Sequence, residues 1–151
     1  MRLPTLLSVL LTSLFFVSCV TEDDEVIERV KVGDRVPVFA VDLSDGTHYD
    51  SRTAGASVII FFHTDCADCQ RELPLINARY ARGEYADRRV VCISRAEGEA
   101  PVAAFWQSHG LTLPYSAQPD RRIFDLFASA GIPRIYETDA TGTIIRVTLA
   151  E

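Results

Sequence analysis

The chain is short of positive charge: 15 Lys and Arg stand against 21 Asp and Glu, for a formal charge of −6. Nucleic-acid phosphates are bound by clustered cations, so the charge balance argues against a nucleic-acid partner. The doublets Arg88-Arg89 and Arg121-Arg122 read as solvated faces rather than as a phosphate-binding stripe. No apolar run reaches the roughly 20 residues that cross a bilayer. Neither a second C-x-x-C nor an H-x-x-x-H spacing is present, which argues against a structural zinc site with four ligands. Beyond Cys66 and Cys69, the only side chains to complete such a site would be Cys92, His63, His48 and His109. There is no internal repeat and no low-complexity stretch. What remains is a chain of 151 residues, 48% apolar and 24% charged, enough for one globular domain with an appended terminus.

That terminus reads as an address. Arg2 precedes an apolar stretch at residues 3–17, the charge and hydropathy order of a secretory signal. Its end, Phe16-Val17-Ser18-Cys19, resembles a bacterial lipoprotein signal, in which the Cys becomes the acylated first residue; Phe16 departs from the usual Leu. The resemblance implies residues 1–18 as signal peptide and lipidation at Cys19. An ordinary signal peptide cut nearby is the alternative, and either route exports the protein. Residues 19–31 contain Glu22-Asp23-Asp24-Glu25 and read as an acidic, hydrated tether, leaving residues 32–151 as the domain.

Within the domain, residues 36–43 with the turn Ser44-Asp45-Gly46-Thr47 predict an opening β-hairpin with Pro37 at its edge. Residues 57–62, Ser-Val-Ile-Ile-Phe-Phe, are the continuous apolar run of a strand buried on both faces, hence the central strand. From Cys66 the stripe Cys69, Leu73, Ile76, Tyr80 follows helical spacing. Residues 89–94 predict a second buried strand, and residues 99–108 a second helix with Val102, Phe105 and Trp106 inward. Ile123, Phe124 and Phe127 mark a third, short helix closed near Gly131. Residues 134–138 and 143–147 flank an Asp139-Ala140-Thr141-Gly142 turn as an antiparallel pair. This order predicts an α/β fold with a central mixed sheet and helices on both faces.

Four cysteines occur. Cys19 belongs to the signal, and Cys92, inside an apolar strand, reads as a small buried hydrophobe. Cys66 and Cys69 are spaced C-x-x-C at the start of a helix that follows a buried strand, a thioredoxin-like redox signature. Unpaired N–H groups in the first helical turn stabilise a thiolate at Cys66, the predicted nucleophile. Cys69, one turn along the inward stripe, is placed to resolve a mixed disulfide. An inert structural disulfide is the competing reading, although so short a loop yields little entropic stabilisation. Asp65 is placed as an N-cap. His109, next to Gly110 at a helix end, reads as structural.

The segment Phe61-Phe62-His63-Thr64-Asp65-Cys66-Ala67-Asp68-Cys69-Gln70-Arg71-Glu72-Leu73-Pro74 resembles the active-site region of thioredoxin-like proteins of the TlpA/ResA type. Val32-Gly33-Asp34-Arg35-Val36-Pro37-Val38-Phe39 resembles the opening of that family and of the related AhpC/TSA peroxiredoxins. The resemblance covers residues 32–147. It implies a cis-proline at Pro133, in Gly131-Ile132-Pro133, facing the cysteine pair, with Ile132 lending backbone hydrogen bonds to a bound substrate strand. It further implies an extracytoplasmic thiol-disulfide oxidoreductase, a reductase of protein disulfides fed by an upstream redox protein, needing no cofactor beyond the Cys66-Cys69 pair, binding no metal, and acting as a membrane-anchored monomer. Two departures stand out: Asp65 replaces the usual aromatic residue before the first Cys, and Ile60 replaces the buried acid that many thioredoxins carry. Asp65 and Asp68 would oppose a Cys66 thiolate, whereas His63 and the helix terminus would favour it. The chain stops at Glu151 where many relatives continue into a helix, which leaves one sheet face open or covered by a partner. A peroxidase is disfavoured, since Ile59 and His63 stand where its Pro and Thr would be. A copper-binding module using Cys66, Cys69 and His63 is the alternative from another class.

Overall fold

A computed structural model of the chain describes residues 26–149. The signal peptide, Cys19 and the acidic run of the tether therefore lie outside the described residues.

The architecture is organised by β3 (Ser57–Phe62), all six residues of which are buried. It pairs in parallel with β4 (Arg89–Ser94) and antiparallel with β6 (Arg134–Thr138). Strand β5 (Tyr115–Ser116) flanks β4, and β7 (Ile144–Leu149) flanks β6, giving the order β5-β4-β3-β6-β7. Hairpin β1 (Ala40–Asp42) and β2 (His48–Asp50) forms a separate two-stranded sheet. The hairpin opens later than residue 36, because Pro37 has no N–H to give a ladder. Val36 instead donates to Gly142 O at 2.9 Å, next to the β6–β7 turn.

Helix α1 (Ala67–Ala81) joins β3 to β4, and α2 (Glu99–His109) joins β4 to β5. Both are crossovers between parallel strands advancing in the same direction across the sheet. Right-handed connection therefore puts both on one face. There Cys69, Leu73 and Ile76 of α1 and Val102, Phe105 and Trp106 of α2 pack on Val58, Ile60, Phe62, Val90 and Cys92. The opposite face is covered by the hairpin and by a single 3-10 turn, Phe124–Leu126. Among the described residues that turn is all the helix this face carries, and it stands where the third helix was expected. Aromatic rings do the packing: Phe61 lies 4.8 Å from Phe127 and 5.3 Å from Phe124, centroid to centroid.

Beyond β3, the helical face ends in charge. Glu137, paired across from Val58, binds Arg88 and Arg146.

Candidate active site

The site lies at the C-terminal ends of β3 and β4. Beyond Phe62 the chain turns through His63, Thr64 and Asp65, and Cys66 N–H donates back to His63 O at 3.1 Å. Cys66 has extended backbone angles, φ −80° and ψ 118°, and is itself the N-cap of α1. Its Sγ accepts the Cys69 N–H at 3.3 Å. Asp65 is thus not the cap: it lies one residue too early and is exposed, and its own N–H donates to His63 Nδ1 at 3.1 Å. The helix proline, Pro74, has no N–H for the carbonyl four residues back, yet α1 continues through it.

The two cysteines differ sharply in environment. Cys66 is partly exposed and Cys69 fully buried against the core. Burial, followed by the hydrogen bond with Cys66, pushes the Cys69 thiol well above the ordinary range, with the His63 backbone and, last, the charge of Arg95 pulling the other way. Burial alone does the same to Cys92.

The second half of the site comes from the loop before β6. The Ile132–Pro133 peptide is cis, as the family resemblance implied. Pro133 is buried, and the Cys66 thiol lies 3.5 Å from Ile132 O, to which it donates. Gly131 has φ +84°, and a Cβ there would fall 2.8 Å from Leu149 Cδ2 and 2.9 Å from an Arg134 nitrogen. Arg134 is fully buried. It pairs with Glu28 and donates to Ala130 O at 2.9 Å and Gly131 O at 3.3 Å, so the proline loop is held from within the protein.

Sequence reasoning missed Glu97, which holds the thiol half. The residue is 7% exposed, and its carboxylate accepts Thr64 N–H at 2.9 Å and the Thr64 hydroxyl. Thr64 O in turn accepts from the Gln70 amide at 2.7 Å. The loop before Cys66 is therefore fastened both to the segment after β4 and to α1. His63 Nδ1 is 3.8 Å from Glu97, too far for a hydrogen bond. Asp68 is engaged by Arg71 at 2.8 Å. His109 stacks on Phe105 with centroids 4.0 Å apart, and Gly110 beyond it is left-handed at φ +60°. His48 sits on the hairpin against Asp42. Among the described residues no cluster of three or more His, Cys, Asp or Glu is arranged to hold a metal. No pattern in the sequence pointed to Glu97 or Arg134; a buried charge is visible only once its neighbours are known.

Comparison with known proteins agrees with this geometry. A model of the AhpC/TSA family matches residues 32–147. Thiol-disulfide oxidoreductase ResA of Bacillus thuringiensis (strain Al Hakam) is 21% identical over 126 residues, spanning 82% of this chain and 73% of that protein. Among solved structures, a putative protein disulfide isomerase from Bacteroides thetaiotaomicron superposes with a TM-score of 0.70 at 30% identity, over 80% of this chain and 79% of its own. StoA from Bacillus subtilis shares the fold with a TM-score of 0.67 at 18% identity, over 76% and 88% of the two chains.

Proposed function

The chain belongs to the AhpC/TSA family and has a thioredoxin-like fold, and on that premise we propose that it is a thiol-disulfide oxidoreductase whose Cys66-Cys69 pair reduces disulfides of other proteins outside the cytoplasm. The observation that carries this reading is the position of the Cys66 sulfur. It caps α1, accepts the Cys69 N–H, and lies against the carbonyl that precedes cis-Pro133.

In the reaction, the Cys66 thiolate attacks one sulfur of the substrate disulfide. That S–S bond breaks, a Cys66–substrate disulfide forms, and the other substrate sulfur leaves as a thiolate that takes up a proton. Cys69 then gives up its proton and attacks the Cys66 sulfur. The Cys66-Cys69 disulfide closes and the second substrate thiol departs. Two electrons have passed to the substrate, and an upstream redox protein returns them to the pair. Burial keeps Cys69 from reacting with anything but its neighbour. Ile132, beside the Cys66 sulfur, is placed to bind an extended substrate segment through its backbone. Arg2, the apolar residues 3–17 and Cys19 support export and a lipid anchor on the outer side of a bacterial membrane.

The test is the redox equilibrium of the purified protein against glutathione, with Cys66→Ser and Cys69→Ser variants and a mixed-disulfide trap. A reversible two-electron couple is expected, with partner protein trapped on Cys66 only when Cys69 is replaced. A pair that stays locked, or never forms a disulfide, overturns the reading.

A further inference from the structure

Strands β3 and β4 end together, with Phe62 paired to Ser94. The segments beyond them therefore emerge side by side, one leading to Cys66 and the other beginning at Arg95. Arg95 N–H donates to Phe62 O at 2.8 Å, which fixes its backbone at the mouth of the site. Its guanidinium carbon lies 5.4 Å from the centre of the Phe124 ring, and that of Arg121 lies at the same 5.4 Å.

The two cations differ in what neutralises them. Arg121 pairs with Asp125 at 3.1 Å and donates to Ser129 O. Arg95 is half-buried, and among the described residues its guanidinium makes no hydrogen bond and no ion pair. Burial, then the charge of Arg121, holds it below the ordinary arginine range, and the opposing pull comes from Cys69, Cys66 and, last, Asp125. The one acid whose charge acts on it, Asp125, is already engaged by Arg121. A partly desolvated guanidinium without an acceptor is costly, and its planar fork suits a carboxylate.

Resting on the exchange reading above, we propose that Arg95 is a specificity-determining residue that binds an acidic side chain adjacent to the reacting cysteine of a polypeptide substrate. The carboxylate takes no part in the sulfur chemistry. It is held while Cys66 attacks the neighbouring disulfide.

The test uses the full reduced protein and three disulfide-linked peptides identical except for Asp, Asn or Lys beside the cysteine. Each variant's rate is divided by the wild-type rate on the same peptide, which cancels differences in leaving-group acidity. Arg95→Gln is expected to slow the Asp peptide about tenfold, the cost of one charge-assisted contact, without a matching loss on the Asn and Lys peptides. Arg95→Lys should recover part of it. Added salt should slow wild-type exchange with the Asp peptide more than with the Asn peptide. This last measurement keeps the proposal falsifiable if the variants do not fold. An equal loss on all three peptides would mean that Arg95 acts on the protein's own thiols, and with no loss at all, or equal salt responses, the proposal fails. No exchange with any peptide would overturn the exchange reading itself, and this inference with it.

Discussion

The thiol half of the site and the proline half are each held by a buried charge, but the two charges are satisfied differently. Among the described residues the hydrogen bonds that the Glu97 carboxylate accepts come from neutral donors, the N–H and hydroxyl of Thr64, with the His63 ring 3.8 Å away. Arg134, with no exposed surface, has both a counter-charge in Glu28 and two carbonyls of its own loop. The thiol half is thus fixed by a short link to a neighbouring strand end. The proline half is fixed to the start of the described chain, whose residues run along the loop: Arg29 N–H donates to Phe127 O at 2.9 Å and Ser129 N–H to Ile27 O at 3.0 Å. Disturbing the first should act locally on the thiol, and disturbing the second should act on the whole fold.

Arg134→Met puts the largest effect on the proline half. It leaves the Ala130 and Gly131 carbonyls without their donor and Glu28 without its partner. Because Glu28 is partly exposed, the loss is less than for a fully buried pair, about 2–4 kcal/mol of unfolding free energy by chemical denaturation. A loss below about 1 kcal/mol would erase the contrast.

Alkaline pH probes the thiol half and the core beneath it. Cys69 and Cys92 have folded-state pKa values raised by burial, so the unfolded chain releases their protons first. Their stabilisation is complete below the ordinary thiol range and is lost as pH rises above it. Stability of the reduced protein should therefore fall above about pH 9, each thiol contributing about 1.4 kcal/mol per pH unit. Between pH 9 and 10, Cys92→Ala should remove one thiol's share of that slope, and oxidation of the Cys66-Cys69 pair should remove the share of Cys69. An unchanged slope in Cys92→Ala would mean that Cys92 is not protected as its burial requires.

The smallest effect belongs to Glu97→Gln. The amide oxygen keeps one acceptor for Thr64, so stability should fall by about 1 kcal/mol, while exchange through Cys66 slows severalfold as the loop of residues 63–65 loosens. If exchange were unchanged at equal stability, Glu97 would be a fold residue like Arg134.

Much of this was legible in the chain. Strands β3, β4 and β6 coincide with the residues expected for them, and the stripe Cys69, Leu73, Ile76 is the buried face of α1. These elements are long, periodic and apolar, so their burial is written in local order. Strand β5 was missed because its two residues carry no pattern; they are a strand through pairing with Cys92 and Ile93. The adjoining turn is tied to α2 by Trp106 Nε1, which donates to Leu113 O at 2.8 Å. The cap was misplaced by one residue because an Asp side chain is the commoner cap, whereas here the sulfur itself takes the free N–H.

By itself the sequence determined the central strand and the helix that begins at the cysteine pair, since each rests on neighbours within a few residues, and the exchange proposed for that pair was read from the same spacing. Only the tertiary structure decided that both helices share one face, that Glu97 fastens Thr64, that Arg134 holds the proline loop, and that the Arg95 guanidinium, over the Phe124 ring, has no ion-pair partner among the described residues. Those contacts join residues tens of positions apart, and the free energy of a buried charge depends on which groups the fold brings to it, not on the residues beside it in the chain.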